Sequence, residues 1–174
     1  MSTLTFDKCF ERLIGHEAGY TDDPRDDGNW TGGRQNLGIL KGTKYGIAAN
    51  TYPELDIKNL TLDHAKSIYK RDWWDKIAAD QIDTAIVFQL WDFAINAGMP
   101  RAVMALQQSV GVVDDGKIGA ITRAAIAKMS ITDVIMRLAA RRLRFYTQCS
   151  KWAINGKGWV NRTAANLDYA AMDT

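Results

Sequence analysis

The stretch of residues 19–46 constrains the fold more than any other feature, because it interrupts an otherwise helical pattern. It holds seven of the chain's 14 glycines and four aspartates, and its apolar residues do not recur every 3.6 positions. A long irregular segment inside a compact helical chain is usually functional or disordered. Its apolar residues argue against disorder: Trp30, Leu37, Ile39, Leu40, Tyr45 and Ile47. We therefore expect turns and a small hairpin, from about residue 30 to 47, that line a cleft.

Helical periodicity dominates the rest of the chain. Helices are predicted at about residues 5–16 or 5–17, from 62 onward, and at 80–97, 101–110, 118–128, 130–149 and 159–171. Thr61 and Ser130 are predicted N-caps, and Gly98 followed by Pro100 is a predicted helix stop. The pattern therefore predicts a mainly α chain with a small β element.

The chain carries no membrane or secretion signal that its sequence would reveal. No apolar run reaches the roughly 20 residues that cross a membrane, and the N-terminal residues lack a basic start followed by an apolar core. We expect the protein to remain in the cytoplasm where it is made, until something else releases it. Cys9 and Cys149 are expected to be reduced thiols, and neither CxxC nor HExxH occurs, so no metal or other cofactor is expected.

The net charge of +2 conceals an uneven distribution. Residues 134–167 hold seven basic residues and no acidic ones, whereas residues 1–133 hold 18 acidic and 15 basic residues. A basic C-terminal third indicates a polyanionic partner such as cell wall, outer-membrane surface or nucleic acid. A solvated helix face is the alternative, because Arg137, Arg141 and Arg144 recur at helical spacing. No helix-turn-helix pattern supports a nucleic-acid partner, and none is expected.

Glu17 is the first candidate for chemistry. It extends the apolar stripe formed by Phe6, Phe10 and Leu13 to the C-terminal end of the first predicted helix. Partial desolvation and the negative end of the helix dipole both favour the protonated carboxyl there, as a general acid requires. The alternative is a glutamate that escapes to solvent where the helix frays.

A second carboxylate would come from the irregular stretch. Glycoside hydrolysis commonly uses one carboxylic acid to protonate the leaving oxygen and one carboxylate to activate water or attack carbon. Asp22, Asp23, Asp26 and Asp27 all lie close enough in sequence to face Glu17. Each of them is also suited to accept backbone N–H bonds in a turn, so the sequence leaves the choice open.

Five segments together resemble glycoside hydrolase family 108, the N-acetylmuramidases of phages and bacteria. They are HEAGY at residues 16–20, DPRDDG at 23–28, GTKYGI at 42–47, YKRDWW at 69–74 and WDFAINAG at 91–98. The resemblance implies that Glu17 is the essential acid. Ala18 departs from the family's usual glycine, and residues 29–41 lengthen the loop relative to many members. Residues 106–119 are similar to the family's C-terminal peptidoglycan-binding region.

A second likeness is to phage-type lysozymes, in which a Glu, an Asp and a Thr follow one another in that order. Glu17, Asp26 and Thr43 show the same order, with Asp26 stabilising charge or positioning water and Thr43 holding that water. This implies inversion at the anomeric carbon. Among residues suited to sugars, Tyr20 and Tyr45 could stack against a ring and Asn96 could bond an N-acetyl group.

The resemblance implies a lysozyme-like α+β fold with a catalytic region at 1–99 and a peptidoglycan-binding-like region at 100–174, packed as one unit. It implies a monomeric endolysin that cuts peptidoglycan strands and causes bacterial lysis. Such an enzyme would wait in the host cytoplasm and reach the periplasm after the membrane is permeabilised, and its basic C-terminal third would contact the anionic envelope. The alternatives are a lytic transglycosylase and a non-catalytic wall-binding module.

Overall fold

The computed structural model describes residues 4–15, 19–77 and 81–174. In these ranges the chain is mainly helical with a small antiparallel sheet, which confirms the predicted lysozyme-like α+β class. The helices are α1 (Phe6–Ile14), α2 (Leu62–Tyr69), α3 (Thr84–Ala97), α4 (Met99–Ser109), α5 (Ala120–Ile126), α6 (Ile131–Thr147) and α7 (Trp152–Asp173). The strands are β1 (Tyr20–Thr21), β2 (Thr43–Lys44) and β3 (Ile47–Ala48). Short helical turns lie at Asp27–Asn29, Lys70–Trp74 and Asp75–Ile77.

The described residues group into two compact units. Phe6–Asp72 form one, called here the N-terminal unit, and Trp73–Thr174 with Leu4 and Thr5 form the other, called the helical unit. This division is one of packing, and it differs from the predicted functional regions 1–99 and 100–174. The assignment of those two regions to catalysis and wall binding stays a prediction.

In the N-terminal unit, α1 packs against α2 through its apolar stripe. Cys9 and Phe10 are buried, and the Phe10 ring meets the Tyr69 ring edge-on at 5.7 Å between centroids. An ion pair between Lys66 Nζ and Asp7 Oδ1, at 2.9 Å, lies beside this contact. Thr61 caps α2 as predicted, since its side chain accepts a hydrogen bond from the His64 N–H.

Helix α1 ends earlier than its apolar stripe predicts. Ile14 is its last residue, and Gly15 adopts a φ of +43° that ends the helix. The expected continuation to His16 or Glu17 falls on residues 16–18, which lie outside the described residues.

The sheet has the order β1-β2-β3 and begins with Tyr20, ten residues before the expected hairpin. Strands β2 and β3 form a hairpin whose two turn residues, Tyr45 (φ +52°) and Gly46 (φ +73°), both have positive φ. Such a turn matches the twist of paired strands. A Cβ atom on Gly46 would collide with the Tyr69 hydroxyl, so this turn requires glycine.

The helical unit is built around α3, in which every residue from Ala85 to Ala94 is buried. The helix begins at its N-cap Asp83 and ends before Gly98 (φ +85°), which confirms the predicted stop. Helix α3 packs against α4, α6 and α7. None of the helices in the described ranges combines the length and apolar character needed to cross a bilayer.

The ends of the remaining helices follow their local capping chemistry, with one large exception. Ser130 caps α6 as predicted, because its side chain accepts a hydrogen bond from the Asp133 N–H at 3.1 Å. Helix α7 starts at Trp152, seven residues before the predicted start at 159. The segment that prediction missed contains Gly156 and Gly158, which have low helix propensity, and tertiary packing overrides that propensity.

Candidate active site

The sheet of the N-terminal unit places Thr43 beside the strand that follows Glu17 in the chain. Strand β1 pairs with β2 in antiparallel register, so that Thr21 lies opposite Thr43 and Tyr20 lies opposite Lys44. Thr43 is half-buried and pairs with Ala48 on its other side. The predicted site residue Thr43 therefore lies in the middle strand, opposite Thr21. Thr21 is four residues after Glu17 in the chain.

Asn29 connects Thr43 to the aspartate-rich turns. The Thr43 hydroxyl donates a 2.7 Å hydrogen bond to Asn29 Oδ1, and Asn29 Nδ2 donates one of 3.0 Å to the Asp23 carbonyl. The backbone N–H of Asn29 donates to the Asp26 carbonyl at 3.1 Å. Asn29 is fully buried, and its residue type gave no sequence signal beyond a turn former. The structure thus links Thr43 to the backbone of the Asp26 turn through Asn29, a residue that sequence reasoning missed.

Asp26 is oriented by its own turn. Its Oδ1 accepts a 2.9 Å hydrogen bond from the Gly28 N–H as the N-cap of the short helical turn Asp27–Asn29. Its Oδ2 accepts no hydrogen bond from the residues that the structure describes. The side chain is exposed, so one oxygen is fixed while the other faces solvent. That arrangement suits a carboxylate that holds a water molecule.

Two neighbouring aspartates also bind within the loop. Asp23 forms a bidentate ion pair with Arg25, and the hydrogen bonds from Arg25 lower the pKa of Asp23 to about 2. Asp27 Oδ1 accepts a 3.0 Å hydrogen bond from the Gln35 N–H. Both side chains therefore hold the loop in shape. Asp26 and Asp27 each accept one backbone N–H bond, whereas both oxygens of Asp23 are paired with Arg25.

Tyr20 lies half-buried next to Asp22. Its hydroxyl donates a 3.2 Å hydrogen bond to the Lys41 carbonyl, and its ring lies against Gly42. Burial raises the pKa of the Tyr20 phenol, and the nearby carboxylate of Asp22 adds to this effect. A Cβ atom on Gly42, whose φ is +82°, would lie 2.5 Å from the Thr21 carbonyl oxygen and 2.7 Å from the Tyr20 ring. Glycine at this position allows the ring to lie close to the backbone.

Tyr45 lies at the tip of the β2–β3 turn. Its ring is half-buried, with the Lys44 ammonium 5.4 Å from the ring centroid, and its carbonyl accepts a 3.1 Å hydrogen bond from the Tyr69 hydroxyl. The backbone is thus held while the ring stays partly accessible. This geometry suits a ring that stacks against a sugar.

Asn96 belongs to the helical unit, whereas Tyr20, Asp26, Thr43 and Tyr45 belong to the N-terminal unit. Its side chain is exposed on α3, and its Nδ2 donates a 3.0 Å hydrogen bond to the carbonyl of Asp92. The carbonyl oxygen of the Asn96 side chain accepts no bond from the described residues. No group of three His, Cys, Asp or Glu side chains in the described ranges could hold a metal ion.

The helical unit contains a buried polar group that the sequence analysis did not identify. It consists of the carboxylate of Asp92 and its three partners and is called here the Asp92 cluster. Asp92 accepts hydrogen bonds from Arg142 Nη2 (2.6 Å), Arg162 Nε (2.8 Å) and Asn166 Nδ2 (2.7 Å), and it joins α3 to α6 and α7. Burial alone would raise the pKa of Asp92, but the positive charges of Arg142 and Arg162 outweigh it and hold that pKa below its ordinary value. A signal was present in the sequence, because Asp92 stands between Trp91 and Phe93 in an apolar helix. A charged residue buried in such a helix requires a partner.

The Asp92 cluster includes two of the basic residues counted in the C-terminal third of the sequence. Arg142 is 2% exposed, and both it and Arg162 form ion pairs with Asp92, so the single negative charge of this carboxylate offsets one of their two positive charges. Arg144, Lys151 and Lys157 are exposed. A surface for an anionic partner would therefore consist of fewer charges than the sequence count indicates.

The loop after α4 is held by Gln107. This buried side chain donates to Asp115 Oδ1 (2.7 Å) and to the Lys117 carbonyl (3.0 Å), while its Oε1 accepts a bond from the Gly116 N–H (2.9 Å). Gly116 has a φ of +75°, as this turn requires. These contacts give Gln107, Asp115 and Gly116 a structural role. The role of this segment in wall binding stays a prediction.

Comparison with known proteins places this chain in a family. The family model described as glycosyl hydrolase 108 matches residues 10–98, which include all six predicted site residues. The chain is also similar to a solved structure described as that of Brucella abortus SagA, with a TM-score of 0.82 and 32% sequence identity. That match covers 96% of this chain and 94% of SagA. No curated protein sequence matches the chain.

Proposed function

Because the chain belongs to glycosyl hydrolase family 108, which supports a peptidoglycan-hydrolysing glycosidase, we propose that it is an N-acetylmuramidase. It cleaves the β-1,4 bond between N-acetylmuramic acid and N-acetylglucosamine. One observation carries this proposal: Asn29 forms hydrogen bonds to both the Asp26 turn and Thr43. Thr43 lies in β2, which pairs with β1, the strand that follows Glu17 in the chain. The order and grouping of these residues support a two-carboxylate hydrolysis.

In the proposed mechanism, Glu17 donates its proton to the glycosidic oxygen as the bond from that oxygen to the anomeric carbon breaks. Asp26 uses its open Oδ2 to accept a proton from a water molecule, whose oxygen bonds to the anomeric carbon from the opposite face. Thr43 holds this water, because its hydroxyl oxygen retains acceptor capacity while its proton is committed to Asn29. The product is a reducing sugar with inverted anomeric configuration.

Tyr20 and Tyr45 are the proposed sugar-stacking residues, and Asn96 is the proposed partner of an N-acetyl group. The support for the tyrosines is their half-buried rings in the N-terminal unit. The support for Asn96 is its exposed side-chain amide, whose N–H bond to the Asp92 carbonyl leaves the amide oxygen as an acceptor.

A lytic transglycosylase is the second candidate, and one observation favours it. Asp23, Asp26 and Asp27 each accept a local hydrogen bond from the loop, which is how turn-forming aspartates behave. A transglycosylase needs the single acid Glu17 and forms an anhydro sugar by attack of the substrate's own hydroxyl. In that case Asp26 would be structural.

The proposed setting is that of a phage or prophage endolysin. The protein would be held in the host cytoplasm, reach the cell wall after membrane permeabilisation and cause lysis as a monomer. The exposed basic residues Arg144, Lys151 and Lys157 would contact the anionic envelope.

Mass spectrometry of the fragments released from purified peptidoglycan tests the proposal. A muramidase leaves hydrated muramic acid at the reducing end, and proton NMR of the first products would show the α anomer formed by inversion. Anhydro-muramic ends would establish the transglycosylase instead. Reducing-end N-acetylglucosamine would show that the enzyme cuts the other glycosidic bond and would contradict the proposed specificity.

A further inference from the structure

The N-terminal unit contains an open cavity of about 380 Å³ whose lining begins at Tyr20. Its apolar surface is formed by Tyr20, Leu40 and the buried Ile57. Its polar surface comes from Lys41 and from the segment that carries Glu54, Asp56 and Lys58. Tyr20 is three positions from Glu17 in the chain, so this cavity adjoins the segment that carries the proposed acid.

Two of the four charged groups in the cavity are already committed to the fold. Asp56 accepts hydrogen bonds from the Asn59 side chain (2.9 Å) and backbone (3.3 Å), and these bonds lower its pKa below the ordinary value. Lys41 Nζ donates a 2.5 Å hydrogen bond to the Pro53 carbonyl. Both side chains are therefore held in place by this unit.

The other two groups are available to a ligand. Neither the Glu54 carboxylate nor the Lys58 ammonium makes a hydrogen bond or ion pair with any residue in the described ranges. Both side chains belong to exposed residues. The cavity thus offers one anionic and one cationic group, together with an apolar floor.

We propose that this cavity binds the peptide stem of the substrate, a short peptide that carries both an ammonium and a carboxylate group. A neutral sugar ring would offer no counter-charge to Glu54, and none to Lys58 beyond the nearby Asp56. The two carboxylates of the cavity would repel a polyanion, and its two lysines would repel a polycation. A peptide that carries both an ammonium and a carboxylate group pairs with both, and its aliphatic part covers Leu40 and Ile57 beside the Tyr20 ring. This inference rests on the proposed function, because peptide stems are joined to the muramic acid residues of peptidoglycan.

The test compares glycan strands that carry peptide stems with strands stripped of them by an amidase. In the double variant Glu54→Gln/Lys58→Met, KM for the strands with stems should rise about fivefold or more, while kcat is unchanged. Kinetics on the stripped strands should equal those of the wild type. The matched control is Glu11→Gln/Lys128→Met, which makes the same chemical changes at exposed positions outside the cavity.

Equal losses on both substrates would mean that the cavity binds sugar, and no loss on either would mean that it binds nothing in the substrate. Either result overturns the inference. Should the wild type cleave neither substrate, the proposed function fails, and the cavity is then tested by binding alone. NMR titration with synthetic L-Ala–γ-D-Glu–meso-diaminopimelate should shift the Tyr20 ring resonances of the wild type and leave those of the double variant unchanged. An unshifted wild type would contradict the inference.

Discussion

Thr43 Oγ1 lies 2.7 Å from Asn29 Oδ1, and this hydrogen bond joins the middle strand of the sheet to the aspartate-rich loop. Asn29 also binds the Asp23 carbonyl through its amide and the Asp26 carbonyl through its backbone N–H. The proposed water-holding threonine and the proposed base are therefore positioned by one buried residue. A change at either end of this bond should affect catalysis through geometry.

Replacing Thr43 tests this relationship. Thr43→Val removes the hydroxyl and leaves the buried Asn29 Oδ1 without its donor, so we expect kcat to fall by about 100-fold and stability by about 1–3 kcal/mol. Thr43→Ser keeps the hydroxyl and should retain kcat within about threefold. Steady-state kinetics and thermal unfolding of both variants provide the measurement. Equal kcat values for the Val and Ser variants would exclude a role for the hydroxyl.

The loop aspartates should differ in their effect on activity. Asp26→Asn removes the proposed base, and we expect kcat to fall by about 100-fold or more. Asp27→Asn alters a side chain whose Oδ1 already accepts the Gln35 N–H bond, and kcat should change by less than about fivefold. Assays of both variants, with Asp22→Asn beside them, assign the second carboxylate. A severe loss in Asp22→Asn with an active Asp26→Asn would transfer the role to Asp22.

Removing the buried charge of Asp92 should destabilise the helical unit. Asp92→Asn leaves the 2% exposed Arg142 without its counter-charge, and the free energy of unfolding should fall by about 3–5 kcal/mol. Asp133→Asn, at an exposed 3.9 Å pair with Arg137, is the matched control and should cost less than about 1 kcal/mol. Urea unfolding at neutral pH measures both variants. A loss in Asp92→Asn no larger than that of the control would contradict the role of this cluster.

The same carboxylate predicts how stability depends on pH. The pKa of Asp92 in the folded protein is below its value in the unfolded chain, roughly 3.9, so its contribution is complete above that value. It is lost as the pH falls through the lower, folded-state pKa, because protonation then breaks its ion pairs. The difference in stability between wild type and Asp92→Asn should therefore be constant near neutrality and shrink in acid. A difference that grows below pH 4 would be inconsistent with this assignment.

Charge reversal tests the envelope contact. The triple variant Arg144→Glu/Lys151→Glu/Lys157→Glu changes exposed residues outside the Asp92 cluster, so folding should be preserved. We expect its binding to isolated cell walls at low salt to weaken by about tenfold or more, and the difference to diminish at high salt. Co-sedimentation at two salt concentrations measures this. Undiminished binding at low salt would show that the basic C-terminal third has no such role.

The parts of the fold that depend on local chemistry were predictable from sequence. Thr61, Ser130 and Gly98 act through hydrogen bonds or φ values within a few residues, and each ends or begins a helix as predicted. An apolar stripe, by contrast, does not reveal that Gly15 adopts a positive φ directly after Ile14, the last residue of α1.

Long-range relationships were beyond the sequence. The pairing of Tyr20–Thr21 with Thr43–Lys44 joins segments more than 20 residues apart, and two-residue strands show no alternating pattern. The partners of Asp92 lie 50 to 74 residues away on other helices. The sequence analysis did not single out Asp92, and only the packing of α3 against α6 and α7 identifies its partners Arg142, Arg162 and Asn166.

The most direct test of the central claim is the activity of Glu17→Gln beside that of Glu11→Gln on purified peptidoglycan. Glu11 is exposed on α1, so its variant makes the same chemical change outside the proposed site. We expect Glu17→Gln to fold normally, to bind cell walls and to release reducing ends at least about 100-fold more slowly, while Glu11→Gln matches the wild type. A folded Glu17→Gln variant with wild-type activity would show that Glu17 is not the catalytic acid.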